Sequence, residues 1–417
     1  MNAALRPGPL TGSLAAPASK SQAHRLLICA ALSQRPVELH LDGLSNDISA
    51  TIRCLEALGA DIEVSGRAIR VSPGRPGDGD ALLFCGESGS TLRFLLPVVG
   101  ALDARAVFCR EGRLPERPLA PFDAVLAAHG MALREDGARL TAAGRLLPGD
   151  FELPGDVSSQ YISGLLFALP LLSGESRIRI RGAVQSAGYV DLTLDALRLA
   201  GVEVFPEPGG FRVPGGQRYQ LPRACAVEGD WSNAAFFLCM GALSPSGVRV
   251  TGLRPDSRQG DRAILDLLAK FGAEIDPQPD GAAVRRGRLR GAAVDAGQIP
   301  DLVPALAALA ALCEGESVIT NAARLRLKES DRLATTARLL RSLGAEADER
   351  PDGLVIRGKP RLPGGTADAC GDHRIAMAAA VLACGCAGPV TVTGAEAADK
   401  SYPRFWADLG KLKEDAT

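Results

Sequence analysis

The chain has 417 residues, of which 46% are hydrophobic and 23% charged, and its formal net charge at pH 7 is −1. A chain longer than about 250–300 residues exceeds what one hydrophobic core usually holds, so we expect two domains. The near-zero net charge excludes a global basic field that would recruit nucleic acid or an acidic membrane, and any anion site must therefore be local.

A phrase of the type Leu-Gly-Ala-Glu recurs along the chain at a nearly constant interval. Its first five glycines are separated by 71, 71, 71 and 72 residues, and a weaker sixth copy follows after 66 more. These glycines are Gly59, Gly130, Gly201, Gly272, Gly344 and Gly410. Because glycine is the usual left-handed cap just past a helix, each copy predicts a helix end followed by a strand. The spacing therefore predicts about six copies of one α/β unit, three in each domain.

Each predicted unit also contains an earlier helix, whose start is marked by a polar residue before an apolar run. The marks, spaced by 68 to 72 residues, are Lys20, Ser88, Ser158, Asp230, Asp301 and Asp372. Most of them are residue types that cap helix N-termini well. Short β-rich runs separate the helices, and they predict strands at residues 81–84, 177–180, 248–250, 318–320, 354–356 and 390–392.

Basic and hydroxyl side chains collect at these helix starts. A helix N-terminus carries unpaired N–H groups and about half a positive charge, so such side chains would complete a phosphate or carboxylate site there. If the repeats direct their helix starts to one place, we expect a substrate with several negative charges. Taken singly, a Ser or Asp could be only a cap, Arg117 a solvated loop charge, and His373 a structural histidine. Lys328 and Arg332 could form ordinary charge pairs on an exposed helix, but cations in a first turn oppose the helix dipole and favour an anion site.

Taken in chain order, these phrases resemble the family of 5-enolpyruvylshikimate-3-phosphate synthases. The resemblance runs from residue 17 to residue 403, which is nearly the full length. Its most specific motifs are Ser158-Ser159-Gln160-Tyr161, residues 326–333, and Asp372-His373-Arg374-Ile375-Ala376-Met377. It implies transfer of the enolpyruvyl group of phosphoenolpyruvate to the 5-hydroxyl of shikimate 3-phosphate. Phosphate would leave by addition and elimination through a tetrahedral intermediate, on the route to aromatic amino acids.

The resemblance also implies an α/β (α+β) fold of two inside-out domains, each of three βαβαββ repeats, joined by a two-stranded hinge and closing over the substrates. Residues 1–18 plus 229–417 would form domain one, with the phosphoenolpyruvate side and the catalytic carboxylates. Residues 19–228 would form domain two, with the shikimate 3-phosphate side. The glycine spacing independently predicts the same six repeats.

Binding residues follow from the resemblance position by position. Shikimate 3-phosphate would be bound by Lys20, Ser21, Arg25, Ser158, Ser159, Gln160, Ser186, Asp301 and Lys328. Phosphoenolpyruvate would be bound by Lys20, Gly89, Arg117, Gln160, Arg332, Arg374 and Lys400. The chain departs from the best-known members at Glu87-Ser88, where they have Asn-Ala, and at Arg324, where they have Asn. Gly89 keeps a small residue beside the phosphoenolpyruvate phosphate, which predicts sensitivity to the inhibitor glyphosate.

The reaction itself requires a base for the hydroxyl proton, an acid for the methylene carbon, and cations for a carboxylate and two phosphates. Asp301 is the candidate base and Glu329 the candidate acid. Lys20 is an alternative proton carrier, and the sequence leaves the separate roles of these three catalytic candidates open. The chain has no metal-ligand spacing, and we expect neither a metal nor a cofactor.

Two alternatives compete with this interpretation. The sister enzyme that transfers enolpyruvyl to UDP-N-acetylglucosamine has a reactive cysteine at the place of Gly112, whereas Cys109 is displaced from it. A remote alternative is a non-catalytic repeat scaffold or nucleic-acid clamp, which would need basic residues in register in every unit. The candidate ligands differ from unit to unit, which favours an asymmetric small-molecule site.

Ten cysteines are scattered without CxxC spacing, which favours reduced buried thiols in a cytosolic protein over metal binding. Arg6, Lys20 and Arg25 interrupt the N-terminal segment, so we expect no signal peptide. The uncharged stretch from Ile375 is broken by Gly385 and is too short to span a bilayer. We therefore expect a soluble cytoplasmic monomer that acts on small molecules, with no nucleic-acid or membrane partner.

Overall fold

The computed structural model describes residues 1–8 and 10–414. The chain forms two compact units: Met1–Ala18 together with Glu228–Thr417, called unit 1, and Ser19–Val227, called unit 2. It passes from one unit to the other twice, and next to these crossings Ala18 and Gly229 of unit 1 form an antiparallel bridge. The second boundary lies one residue earlier than the predicted one.

Helices and strands alternate along the described chain. The helices are α1 (Lys20–Ala31), α2 (Asn46–Ala57), α3 (Gly89–Ala101), α4 (Phe122–Ala128), α5 (Ser159–Ala168), α6 (Ala187–Leu199), α7 (Trp231–Leu243), α8 (Ile264–Phe271), α9 (Val303–Ala310), α10 (Arg332–Ser342), α11 (His373–Ala383) and α12 (Phe405–Glu414). The strands are β1 (Asn2–Leu5), β2 (Ser13–Ala15), β3 (Val37–His40), β4 (Asp61–Ser65), β5 (Ala68–Ser72), β6 (Ala81–Gly86), β7 (Ala106–Arg110), β8 (Ala132–Asp136), β9 (Arg139–Ala143), β10 (Asp150–Pro154), β11 (Ser176–Arg181), β12 (Phe205–Glu207), β13 (Gly210–Val213), β14 (Ala224–Ala226), β15 (Val248–Thr251), β16 (Glu274–Gln278), β17 (Gly281–Arg285), β18 (Ala293–Asp295), β19 (Gly315–Thr320), β20 (Glu346–Arg350), β21 (Gly353–Gly358), β22 (Gly365–Asp368) and β23 (Val390–Thr393).

Three small sheets form the β part of each unit. The sheets of unit 2 have the strand orders β14-β3-β5-β4, β6-β7-β9-β8 and β10-β11-β13-β12. Those of unit 1 have the orders β16-β17-β15-β2, β18-β19-β21-β20 and β1-β23-β22. Every sheet contains one parallel pair, such as β6 with β7, and its other pairs are antiparallel. A parallel pair needs a helical crossover, and the five four-stranded sheets with their helices follow the βαβαββ pattern. The sheet β1-β23-β22 has three strands among the described residues. The predicted fold of two domains with three repeats each is confirmed.

The first sheet of each unit includes a strand from a distant part of the chain. In unit 1, β2 pairs in parallel with β15, more than two hundred residues later. In unit 2, β14 pairs in parallel with β3, which lies near the start of that unit. These pairings close each unit at the point where the chain enters or leaves it.

The earlier helix of each repeat lies in the core, with the sheets outside. Every residue of α9 and α11 is buried, because both helices are apolar on all sides and rich in alanine. The strands instead alternate, as in β3, where Val37 and Leu39 are buried and Glu38 and His40 are exposed. This arrangement is the inside-out architecture that the family resemblance implies.

The repeated glycines end helices as expected. Gly59, Gly130, Gly201, Gly272 and Gly344 all have φ between +72° and +98°. At Gly272 an added Cβ atom would lie 2.2 Å from the carbonyl oxygen of Arg288, so the returning chain also excludes a side chain. The weaker sixth copy is wrong, because Gly410 lies inside α12 and does not end a helix.

The predicted helix starts differ from the observed ones in one place, at Asp301. Ser88, Ser158, Asp230 and Asp372 cap α3, α5, α7 and α11 through their side-chain oxygens. Helix α1 begins at Lys20, as predicted, and its cap is the preceding residue, Ser19. Asp301 lies in a 3-10 turn, Pro300–Leu302, that leads into α9. Among the described residues, no helix is both long and apolar enough to cross a membrane.

Candidate active site

Unit 1 contains a buried network centred on the guanidinium group of Arg332, the first residue of α10. Arg332 is 1% exposed. Its Nη1 donates to Asp301 Oδ1 at 2.9 Å and its Nη2 to Glu329 Oε2 at 2.6 Å. Its Nε and Nη2 donate to the two oxygens of Asp372 at 2.8 and 3.3 Å. One arginine thus orients three carboxylates, and burial makes these charge-assisted bonds stronger than they would be in water.

Asp301 is surrounded by cations. Besides Arg332, Arg374 Nη2 lies 3.4 Å from Asp301 Oδ2, and Lys328 Nζ lies 3.7 Å from Asp301 Oδ1. Arg374 also donates from Nη1 to the main-chain oxygen of Asp301 at 2.9 Å. Burial alone raises the pKa of the Asp301 carboxyl, but Arg374, Lys328 and Arg332 outweigh burial and hold that pKa well below its usual range. Asp301 is therefore ionised, and in this state it is a weak base.

Asp372 positions two arginines at once. As the cap of α11, its Oδ1 accepts the backbone N–H of Arg374 at 3.0 Å, while its Oδ2 accepts the hydroxyl of Ser330 at 2.9 Å. Burial raises the pKa of Asp372, but the charges of Arg332 and His373 lower it by more. The carboxylate is fully buried and stays ionised, so it fixes Arg332 and the start of α11 relative to each other.

The remaining predicted residues of unit 1 lie on short connecting segments. Lys328 and Glu329 precede α10, so the expectation that Lys328 lies in the first helical turn is wrong and only Arg332 does. Lys400 is buried at the end of a 3-10 helix, and the next residue, Ser401, is bonded to Asn233 of α7. Arg324 donates to the carbonyl of Gly297 at 3.0 Å.

Unit 2 has a second group of polar side chains around Gly89, the first residue of α3. A Cβ atom added at Gly89 would lie 2.6 Å from Arg93 Nη1 and 2.9 Å from Arg117 Nη1, so two guanidinium groups face this glycine. Arg93 Nη1 donates to Gln160 Oε1 at 3.2 Å, and Gln160 Nε2 donates to Ser90 Oγ at 3.0 Å. A helix N-terminus beside two arginines is suited to bind a phosphate or carboxylate.

Sequence reasoning missed Arg93. Its Nη2 donates to the carbonyl of Pro118, next to Arg117, at 3.0 Å, and its guanidinium carbon lies 5.8 Å from the ring centre of Tyr161. The available signal was its spacing, because a residue four positions after Gly89 lies on the same face of α3 one turn later. Arg93 therefore links α3, α5 and the loop that carries Arg117.

Lys20 and Arg25 of α1 have different surroundings. Lys20 Nζ donates to Asp47 Oδ2 of α2 at 2.8 Å and keeps some exposure. Arg25 is buried and donates to the carbonyls of Ser21 and Tyr189, both at 2.6 Å, and to Thr193 Oγ1 at 2.8 Å. Burial lowers the pKa of Arg25 to about 10. Arg25 thus holds the segments that carry Ser21 and Ser186, whichever ligand those segments bind.

The predicted serines also occupy helix starts. Ser158 caps α5 by accepting the N–H of Gln160 at 3.3 Å, and Ser159 is the first, buried residue of that helix. Ser186 directly precedes α6 with φ of +57°, a left-handed conformation that is unusual for a residue with a side chain. Such backbone conformations are concentrated at ligand-binding sites.

The two units therefore hold two distinct groups of predicted residues. Unit 1 brings together Asp301, Lys328, Glu329, Arg332 and Arg374, called the Arg332 cluster. Unit 2 brings together Gly89, Arg117 and Gln160, which with Arg93 are called the Gly89 cluster. Within residues 1–8 and 10–414, no group of three His, Cys, Asp or Glu side chains is arranged to hold a metal ion.

Comparison with known proteins gives one consistent answer. A family model described as EPSP synthase (3-phosphoshikimate 1-carboxyvinyltransferase) matches residues 5–409. The 3-phosphoshikimate 1-carboxyvinyltransferase of Clostridium kluyveri is 41% identical over 420 residues, covering 98% of this chain and 96% of the relative. That of Clostridium acetobutylicum is 41% identical over 419 residues, covering 99% and 97%. A solved EPSP synthase from Acinetobacter baumannii has a TM-score of 0.81 and 25% identity, covering 98% of this chain and 97% of its own.

Proposed function

This chain belongs to the EPSP synthase family and is an enolpyruvyl transferase of the shikimate pathway, and we propose that the Arg332 cluster carries out its proton transfers. It is a 3-phosphoshikimate 1-carboxyvinyltransferase, which joins the enolpyruvyl group of phosphoenolpyruvate to the 5-hydroxyl of shikimate 3-phosphate and releases phosphate. The observation that supports the proposed roles most strongly is one buried arginine holding the two candidate proton-transfer groups, Asp301 and Glu329.

The residues proposed to bind phosphoenolpyruvate are those that the family resemblance implies. Unit 1 contributes Arg332, Arg374 and Lys400, and unit 2 contributes Lys20, Gly89, Arg117 and Gln160. The support in unit 2 is the pair of guanidinium groups that faces the N-terminus of α3. Arg93 is added to the proposed set as the residue that positions Gln160 and the Arg117 loop.

Shikimate 3-phosphate is proposed to bind mainly unit 2. Its ligands there are Lys20, Ser21, Arg25, Ser158, Ser159, Gln160 and Ser186, and unit 1 adds Asp301 and Lys328. Hydroxyl groups at the starts of α1, α5 and α6 suit a ligand that carries both a phosphate and ring hydroxyls. Arg25 contributes by fixing the Ser21 and Tyr189 carbonyls.

The charges around Asp301 provide a way for substrate to activate the base. When the anionic phosphoenolpyruvate pairs with Arg332 and Arg374, these cations act less strongly on Asp301, and the pKa of its carboxyl rises. A stronger base then faces the 5-hydroxyl only when both substrates are bound. The same anion competes with Glu329 for Arg332, which favours protonation of Glu329, the proposed acid for the methylene carbon.

Lys20 is the weaker candidate for this acid. Its ammonium group is bonded to Asp47 at 2.8 Å within unit 2, whereas Glu329 shares Arg332 with the candidate base Asp301. We therefore assign proton donation to Glu329 and charge neutralisation to Lys20.

The sister reaction with UDP-N-acetylglucosamine fits this chain poorly. Gly112 stands where that enzyme has its reactive cysteine, and it has φ of +53°. A Cβ atom there would lie 1.7 Å from Glu87 Oε1, so any side chain would displace Glu87. The curated relatives quoted above are likewise 3-phosphoshikimate 1-carboxyvinyltransferases.

Phosphate release from phosphoenolpyruvate tests the proposal. Release should require shikimate 3-phosphate and should not occur with UDP-N-acetylglucosamine as the acceptor. Release that depends on the nucleotide sugar, or that proceeds without either acceptor, would contradict it.

We also propose that the protein acts as a cytoplasmic monomer on these small molecules, without a cofactor and without nucleic-acid or membrane partners. Its ten cysteines are all free thiols, seven of them buried, as suits a reducing compartment. Light scattering during size-exclusion chromatography should give a mass close to the 43.4 kDa of one chain, and a dimer mass would refute the monomer.

A further inference from the structure

Asp261 is a buried carboxylic acid of unit 1 that the roles described so far leave unused. It lies in a 3-10 turn, Gly260–Ala263, and is 2% exposed. Gln259, the residue just before this turn, fixes the turn against the start of α7. Its side chain accepts the N–H of Trp231 at 3.0 Å and donates to the carbonyl of Gly229 at 2.8 Å. The side chain of Asp261 therefore has a defined place beside the first turn of α7.

Only one of the two Asp261 oxygens has a partner within the described part of the chain. The hydroxyl of Ser232, in the first turn of α7, donates to Oδ2. Oδ1 is buried and has no hydrogen-bond partner among the described residues. An ionised carboxylate with a bare buried oxygen is costly, whereas a protonated one needs less compensation.

The charged groups that act on Asp261 come from three neighbouring elements. They are Asp230 at the cap of α7, Asp301 in the turn before α9, and Arg374 in the first turn of α11. The two aspartates disfavour a further negative charge, and Arg374 favours it. Burial is the largest influence, followed by the charge of Asp301, and the pKa of Asp261 is raised to about 7.

We propose that Asp261 is a positioning residue for phosphoenolpyruvate: its neutral form leaves the charge of Arg374 available to the substrate, and its ionised form competes with the substrate for Arg374. This inference rests on the proposed function, because it takes Arg374 as a phosphoenolpyruvate ligand. Asp261 touches no reacting atom and acts through the charge of its neighbour.

The sign of the expected pH effect follows from the raised pKa. Below neutral pH Asp261 holds its proton and Arg374 acts with its full charge. As the pH rises through about 7, Asp261 ionises and substrate binding weakens. Because phosphoenolpyruvate itself titrates, the informative quantity is the ratio of KM values between the native protein and a variant that cannot ionise at this position.

The test compares Asp261→Asn with the native protein across about pH 6 to 8.5. The ratio of KM for phosphoenolpyruvate, native over variant, should rise by roughly three- to tenfold over this range, the size expected for one partly screened charge. The native-over-variant ratio of kcat should change less with pH than the ratio of KM. Asp266→Asn removes an exposed carboxylate from α8 of the same segment, and its ratio to the native protein should stay flat.

A second variant should keep the pH dependence of KM but shift it to higher pH. Ser232→Ala removes the hydroxyl that stabilises ionised Asp261, so the pH at which KM begins to rise should shift upward from the native value. If Asp261 served only packing, Asp261→Asn would change activity by the same factor at every pH, and Ser232→Ala would leave the profile in place. Either outcome overturns the inference.

Thermal unfolding gives a readout that needs no substrate. Because burial raises the pKa of Asp261, the folded protein keeps a proton that the unfolded chain releases, and folded stability falls as the pH rises from about 4 to about 7. The Tm of Asp261→Asn minus that of the native protein should therefore increase from acid to neutral pH, and a constant difference overturns the inference. An inactive native protein would refute the proposed function, whereas an active native protein with a flat KM ratio would refute only the role of Asp261.

Discussion

The two units build the same repeat and cap its core helices differently. In unit 2 the helices α1, α3 and α5 are capped by Ser19, Ser88 and Ser158. In unit 1, Asp230 and Asp372 cap α7 and α11, and Asp301 lies in the turn that leads into α9. A serine cap satisfies the helix N–H groups without adding charge, whereas an aspartate cap also neutralises the positive helix end.

In the proposed mechanism, residues of both units bind the substrates, whereas proton transfer belongs to unit 1. The neutral caps leave the helix ends of unit 2 positive, so the Gly89 cluster can attract anions. The acidic residues of unit 1 instead orient Arg332 and Arg374, and we propose that two of them, Asp301 and Glu329, accept and donate protons. The repeated frame thus fixes where a functional side chain stands, and the residue type at each helix start decides what it does.

Removing the proposed acid should have the largest effect. Glu329→Gln keeps the shape of the side chain but cannot deliver a proton, so kcat should fall by about 10²–10⁴-fold while both substrates still bind. Steady-state phosphate release and equilibrium binding measure the two quantities. Glu316→Gln changes an exposed glutamate of β19 in the same unit and should leave both unchanged. Turnover near the native rate in Glu329→Gln would show that Glu329 is not the acid.

Breaking the centre of the Arg332 cluster should affect both stability and binding. Arg332→Ala leaves Asp301, Glu329 and Asp372 without their shared partner, and breaking such a buried ion pair costs about 3–5 kcal/mol of folding stability. Phosphoenolpyruvate affinity should fall more than shikimate 3-phosphate affinity. Denaturant unfolding and titration of each substrate check this, and a selective loss of shikimate 3-phosphate binding would show that the two substrates are assigned the wrong way round.

A methyl group in the Gly89 cluster should weaken anion binding without touching the carboxylates of unit 1. Gly89→Ala places a Cβ atom 2.6 Å from Arg93 Nη1, so the guanidinium must shift. We expect KM for phosphoenolpyruvate to rise by about tenfold, a loss of about 1.4 kcal/mol, and glyphosate inhibition to weaken by more. The matched control is Gly77→Ala, since a Cβ at Gly77 has no atom within 4 Å. Unchanged inhibition in Gly89→Ala would contradict the role of this glycine.

Exchanging a neutral helix cap for an acidic one should have the smallest effect. This exchange tests whether the serine caps of unit 2 and the aspartate caps of unit 1 differ in function. Ser158→Asp and Ser158→Asn both keep a capping oxygen at α5, but only Asp adds a charge. KM for shikimate 3-phosphate should be several-fold higher in Ser158→Asp than in Ser158→Asn, because a charge near a helix end is worth about 0.3–1 kcal/mol or somewhat more when partly buried. The difference between the KM values of the two variants should become smaller at high salt. Equal KM values in the two variants would show that cap charge does not govern binding.

The sequence predicts most of this fold because each repeat is marked by short motifs of neighbouring residues. The left-handed glycines and helix caps depend only on neighbouring residues, so their spacing revealed the repeats. Gly410 misled because a glycine near an apolar helix resembles a cap even where the helix continues through it. Lys328 was wrongly placed in a helix because Asp331, three residues later, is the true cap.

The Arg332 cluster was named residue by residue, but its geometry depends on tertiary contacts. Asp301, Glu329 and Asp372 are far apart in sequence, and nothing local shows that one arginine joins them. Arg93 and Asp261 were missed for the same reason, since their partners Gln160 and Arg374 come from other repeats of their units.

The most direct test of proton transfer in unit 1 is a single-turnover measurement on Asp301→Asn, with binding and phosphate release followed in the same sample. Our account predicts that binding of both substrates stays measurable while phosphate release from the bound complex falls by about 10²–10⁴-fold. The exposed control Asp276→Asn should match the native protein in both measurements. Phosphate release at the native rate, or a loss of binding large enough to explain the slow release, would contradict the account.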